Sequence, residues 1–194
     1  MIMKNFILFI LLFATACHNG KTNHPASNTE KSPDSLTAGS KEHTDNNDQL
    51  IDSLTNLEPL PDEALKQMAP QELSGIPLSN ADVLNGSGVK TLEVNYQAVD
   101  DSVVVILQIT DCAGAAGAGY FSMHYLNKDP TTNEDEVECN KTKYRGENAF
   151  ECESKEPGGE KAFLFLSKKR FLVGVGSKSV SMSVLKKLAD EVRL

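Results

Sequence analysis

The sequence predicts an α+β domain of two layers, a largely antiparallel sheet of about five to six strands with helices packed on one face. Three observations carry this reading. Short apolar runs recur between turn signals from Val89 to Val175. A Gly/Ala-rich stretch from about Cys112 to Leu126 has the length of a helix, not of a strand. The chain closes on Met182, Leu185, Leu188, Ala189 and Val192, whose spacing puts one apolar stripe on a helix.

Taken in order, the first segment is not part of that domain. Met1 to Asn5 carries one positive charge at Lys4, and an apolar run follows from Phe6 to Ala16. This is the layout of a secretory signal, and the run is too short for a span of about 20 residues. Ala14-Thr15-Ala16 precedes Cys17 and resembles the lipobox of bacterial lipoproteins, although that motif usually has Leu where Ala14 stands. The resemblance implies residues 1–17 as a signal peptide ending at a lipidated Cys17, and a cell-envelope location, periplasmic or surface-facing. Lipid chains bury about 0.8 kcal/mol per CH₂, so the membrane is then the first partner.

Residues 18–49 are rich in Ser, Thr, Asn, Asp and Lys, and Pro25 and Pro33 interrupt them. Such a composition buries too little to offset its ordering entropy, so a disordered tether is expected. Its histidines, His18, His24 and His43, are irregularly spaced and read as solvated linker. Residues 50–74 read as a short helical lead-in, with a helix start at Pro61-Asp62-Glu63 and a stop at Pro70.

The domain proper is expected over 75–194. Val89 to Val99 alternates as a strand with Leu92, Val94 and Tyr96 inward. Asp100-Asp101-Ser102 is a turn, and Val103 to Ile109 is apolar enough for a central strand covered on both faces. Asp111 is read as the N-cap of the Cys112–Leu126 helix, whose glycines permit close approach to the sheet. An acidic loop follows, from Lys128 to Glu138. Then come strands from Glu138 to Tyr144 and from Ala149 to Ser154 around Arg145-Gly146, and strands Ala162–Leu166 and Phe171–Val175. Ser181 is the expected cap of the last helix.

Three of these pieces resemble a family of uncharacterised exported bacterial proteins. They are Tyr96–Asp101 with Val103–Ile106 and Ile109–Asp111, then Gly146 between two short strands, then Arg170–Val175 with the terminal helix. The resemblance covers roughly residues 75–194 and implies a small α+β envelope domain. It carries no activity to transfer.

Composition and motifs narrow the chemistry. The chain holds 19 basic and 27 acidic residues, a net charge of −8, so a polyanionic partner is disfavoured and no nucleic-acid binding is expected. Gly114-x-x-Gly117-x-Gly119 is neither a dinucleotide nor a Walker loop. No cofactor is called for. Cys112, His124, Cys139 and Cys152 lack zinc-ligand spacing, and the acidic loop lacks the calcium-loop pattern, so no metal site is expected. Catalytic residues are not assigned. The expectation is a non-enzymatic module that binds an envelope protein or a small ligand. A hydrolase using His124 and a carrier of a small apolar ligand stand as alternatives.

The cysteines give the sharpest expectation. With Cys17 lipidated, Cys112, Cys139 and Cys152 remain in an oxidising compartment. A turn centred on Arg145-Gly146 sets Cys139 directly opposite Cys152, where Cα atoms are about 4.5–5.5 Å apart. A Cys139–Cys152 disulfide is expected, with Cys112 left as a buried thiol. The same register aligns Lys141 with Phe150.

Overall fold

A computed structural model describes residues 41–128 and 136–194, with side chains from Asn46 onward. Thr44–Leu194 forms one compact unit. The elements are helices α1 (Lys41–Thr55) and α2 (Asp62–Lys66), then strands β1 (Glu72–Leu73), β2 (Ile76–Gly86), β3 (Val89–Gln97) and β4 (Val104–Asp111). Helix α3 (Gly114–Phe121) runs into a single π-helical turn (Ser122–Leu126). Strands β5 (Val137–Tyr144), β6 (Glu147–Ser154), β7 (Lys161–Ser167) and β8 (Phe171–Ser177) precede helix α4 (Met182–Glu191).

The expected two-layer α+β fold of five to six strands is not what forms. All eight strands of the described residues join one antiparallel sheet in the order β1-β2-β3-β4-β8-β7-β6-β5, curled into a half-barrel, and the described helices are few and short. Two four-strand meanders meet at the β4–β8 ladder, where Leu107 faces Val175 and Ile109 faces Val173. The central strands are buried on both faces, as the continuous apolar run in β4 predicts.

The missed strands have a local cause. In β2 the inward residues are Ile76 and Leu78, then Ala81 and Val83. A bulge between Leu78 and Asn80 inserts one residue and shifts the parity. A strict period of two therefore breaks at Ser79, and the alternation disappears from the sequence. The β2–β3 turn, Ser87-Gly88, has φ of 54° and 82°, the left-handed pair of a two-residue hairpin.

Nor do the helices share a face. Leu185, Leu188, Ala189 and Val192 of the α4 region join the core with Leu92, Val94, Leu107, Ile109, Phe163, Phe165, Val173 and Val175. Lys186 of α4 pairs with Glu151 on this same face. Residues of opposite parity meet the other helix: Tyr125 sits edge-on to Phe150, and its hydroxyl donates to the Asn148 carbonyl. Chain direction explains the split. Strands β4 and β5 run parallel, with β8, β7 and β6 between them, so the chain must cross over the sheet to reach β5. Such crossovers are right-handed almost without exception, which restricts the crossing to one face. Helix α4 follows β8 and closes the other.

The C-terminus of α4 ties the curl together. Tyr144 at the tip of the β5–β6 hairpin donates to Asp190 at 2.6 Å, and Arg145 donates to the Asp190 carbonyl. From the opposite edge of the sheet, the Ser74 amide and hydroxyl both bind the Glu191 carboxylate. Ser181 occupies the N-cap position of α4 as expected, but its hydroxyl pairs with Ser183 instead of a helix amide.

Two boundaries differ from the expected ones. Helix α1 already begins at Lys41, inside the stretch read as tether, and Leu54 on it is fully buried. The lead-in 50–74 contributes Leu65, Leu73 and strand β1 to the core and sheet, so it belongs to the folded unit. Residues 1–40, including Cys17 and the remainder of the tether, lie outside the described residues.

Candidate functional site

Four charged side chains converge where β4 ends and β3 and β8 begin: Lys90, Asp111 and Arg170 hold the peptide that leads from α1 into α2, and Asp62 at the start of α2 answers Lys90. Asp111, the last residue of β4, faces Phe171, the first of β8. This pairing brings Arg170 beside Asp111. Arg170 Nε lies 2.8 Å from Oδ1 and its Nη2 2.9 Å from Oδ2, a bidentate fork on a carboxylate with no exposed surface. The Leu60 amide donates to Oδ2 at 2.8 Å and the Ala113 amide to Oδ1 at 3.2 Å. Arg170 Nη2 also donates to the Glu58 carbonyl, and Lys90 Nζ to the Leu60 carbonyl and to Asp62. Pro59 packs over Gly114 at the start of α3.

The electrostatics follow from this geometry. Burial alone would push the Asp111 carboxyl up, but the Arg170 guanidinium and the Leu60 and Ala113 amides outweigh it and hold the group below its ordinary value. The carboxylate accepts four donors, so its lone pairs are spent on holding the chain. The arrangement is a clasp for residues 58–62. Sequence reading missed it. Asp111 was expected as a helix N-cap, yet α3 starts at Gly114 with Ala113 as its N-cap residue, and Asp111 is still strand. Arg170 stands just before β8 and has no local signal of a buried partner. The two are 59 positions apart, and only the β4–β8 register joins them.

The expected cysteine pair is in place. Cys139 and Cys152 face each other in the β5–β6 ladder and form a disulfide, with Cα atoms 4.0 Å apart, closer than the expected spacing. The turn is the one expected: Arg145 and Gly146 have φ of 52° and 86°, Tyr144 pairs with Glu147, and Lys141 faces Phe150. Phe150 resolves the awkward pairing. It is buried on the outer face beneath Tyr125, with the Lys128 ammonium 5.9 Å from its ring centre.

Cys112 is a fully buried thiol. Desolvation pushes its pKa up to about 12, with the neighbouring Asp111 charge adding to the effect, so the thiol stays protonated at physiological pH. His124 is half-buried on the π-helical turn, its ring 4.3 Å from that of Tyr120. Among the described residues no group of three or more His, Cys, Asp or Glu side chains is arranged to hold a metal. No described helix is long and apolar enough to cross a membrane. No protein-family model, curated protein or solved structure matches the chain.

Proposed function

We propose that this protein is a lipid-anchored cell-envelope lipoprotein whose folded domain is a non-enzymatic binding or interaction module. The observation that carries the reading is the Cys139–Cys152 disulfide. Disulfides persist in oxidising compartments, so the bond agrees with the signal-peptide pattern that ends at Cys17. The binding role draws on the state of the polar groups. The Asp111–Arg170 pair is committed to its clasp, and the Cys112 thiol is held neutral and buried. The inner face of the sheet is packed with Leu185, Leu188 and three phenylalanines, Phe163, Phe165 and Phe171, which favours partner binding at the surface over carriage of an apolar ligand inside.

The test is metabolic labelling with a palmitate analogue, followed by membrane fractionation. The expected result is a labelled, membrane-bound protein, and loss of both label and membrane association in Cys17→Ser. A Cys17→Ser variant that keeps either one overturns the anchor. Affinity capture of the intact protein from solubilised envelope, with mass spectrometry, then identifies the partner.

A further inference from the structure

The two edges of the sheet are protected differently. A two-residue hairpin makes its closing pair a hydrogen-bonded pair, and the pairs alternate from there. In β5–β6 the closing pair is Tyr144–Glu147, so the outward amides of edge strand β5 belong to residues of the other parity, including Lys141 and Lys143. Lysines at these positions discourage a further strand. In β2–β3 the closing pair is Gly86–Val89, so the outward amides of β2 belong to Ala81, Val83 and Asn85. Strand β1 pairs with only Ile76 and Pro77. Beyond the bulge, among the described residues, no strand covers β2, and no lysine or proline guards it.

Leu84 stands in this open edge and is 42% exposed. Its neighbour Asp82 is the strand's one charge, held by the Asn80 side-chain amide at 2.6 Å. A second β2 can add in antiparallel fashion about a two-fold axis at a hydrogen-bonded or a non-hydrogen-bonded pair; an axis at Val83 would set Leu84 against the Asp82 carboxylate, and one at Asn85 would set it against Gly86, which has no side chain to cover it. An axis at Asp82 would set the two Asp82 carboxylates face to face. An axis at Leu84 sets Leu84 against Leu84 in a non-hydrogen-bonded pair, where side chains approach most closely, and sets Asp82 against Gly86. That register removes an exposed apolar side chain from water, opposes no like charges, and satisfies the outward groups of Val83 and Asn85. The β1 strand lies at the far end of β2, clear of the added chain.

We propose that a second copy of this chain docks on β2, pairing β2 with β2 about a two-fold axis at Leu84 and joining the two sheets into one continuous sheet. The partner is identified by self-complementarity: the edge offers to its copy the same apolar side chain and the same backbone groups that it needs. The pairing does not depend on the lipid anchor.

Sedimentation velocity over a range of protein concentrations tests it, with circular dichroism to show that each variant is folded. The unaltered protein should dimerise reversibly. Leu84→Asp and Leu84→Lys each place like charges opposite one another, and each should weaken self-association by about tenfold or more. Leu84 is an exposed side chain, so at concentrations where the parent is monomeric both variants should keep its melting transition. An equimolar mixture of the two should dimerise again, because the carboxylate introduced in one chain then faces the ammonium introduced in the other. Three results would overturn the proposal: a protein that stays monomeric at hundreds of micromolar, single variants that dimerise like the parent, or a mixture that fails to recover. The first leaves the edge to an unlike partner, and the second moves the interface elsewhere.

Discussion

At the scale of single residues, the chain uses burial to silence reactive groups and pairing to keep one charge inside. Cys112 is the first case. With its thiol raised to about 12 and no exposed surface, the native protein should resist iodoacetamide at pH 8, while denaturant should make the same cysteine react at once. Mass spectrometry of the Cys112 peptide reads this directly, and rapid native labelling would contradict the packing described. Asp111 is the second case. Its folded pKa is depressed, so its contribution to stability is fully present above the unfolded value of about 3.9 and disappears as pH falls through the folded value. Asp111→Asn leaves Arg170 without its counter-charge in a largely buried site, at a cost of about 3–5 kcal/mol. The acid limb of a stability–pH curve should flatten in that variant. An unchanged limb would mean that other carboxylates govern acid unfolding.

At the scale of elements, the α3 segment shows how close approach dictates sequence. A Cβ added at Gly117 would lie 2.5 Å from the Cys112 carbonyl carbon and 2.8 Å from its oxygen. These are backbone atoms and cannot swing aside. Gly117→Ala should therefore destabilise by about 1–3 kcal/mol, although alanine favours helix by about 1 kcal/mol in open surroundings. Urea denaturation measures the sign, and a stabilised variant would refute the contact. The glycine was legible as a close-packing position, but the atoms it approaches are those of its own entry turn. The β5–β6 hairpin makes the complementary point. Its disulfide closes a sequence separation of 13, for which the chain-entropy estimate is about 3 kcal/mol at most. Replacing Cys139 and Cys152 together by Ser should lower stability by no more than this and leave the far-ultraviolet spectrum unchanged. A complete loss of folding would show that the bond does more than close the hairpin.

At the scale of the whole molecule, the folded unit begins before the sheet does. Leu54, Leu65 and Leu73 are fully buried, and each is worth roughly 1.5–3 kcal/mol of transfer free energy. The Leu60 amide and the Glu58 carbonyl complete the clasp at Asp111 and Arg170. A fragment starting at Thr44 should melt like the parent. One starting at Gly75 should be strongly destabilised or fail to fold, although the sequence pattern alone would place the domain boundary there. Differential scanning calorimetry of the two fragments decides this, and equal melting temperatures would mean that residues 44–74 add nothing to the stability of the sheet.

What the sequence by itself determined lies in short-range pattern. Val103–Ile109 reads as a central strand, the terminal stripe reads as a helix with Leu185, Leu188 and Ala189 inward, and turn chemistry at Arg145-Gly146 fixes the register that joins Cys139 to Cys152. Each depends on neighbours a few residues apart, where one backbone period or one turn type suffices. Tertiary structure alone decided the rest. The bulge at Ser79 hid β2 by breaking its alternation, and a two-residue strand such as β1 has no period to read. The faces taken by α3 and α4 follow from where β4, β5 and β8 lie in the sheet, and Asp111 meets Arg170 only because β4 and β8 pair at its centre. Strand order brings together residues far apart in the chain, and no local signal records that choice because the contact energy exists only once the sheet has closed.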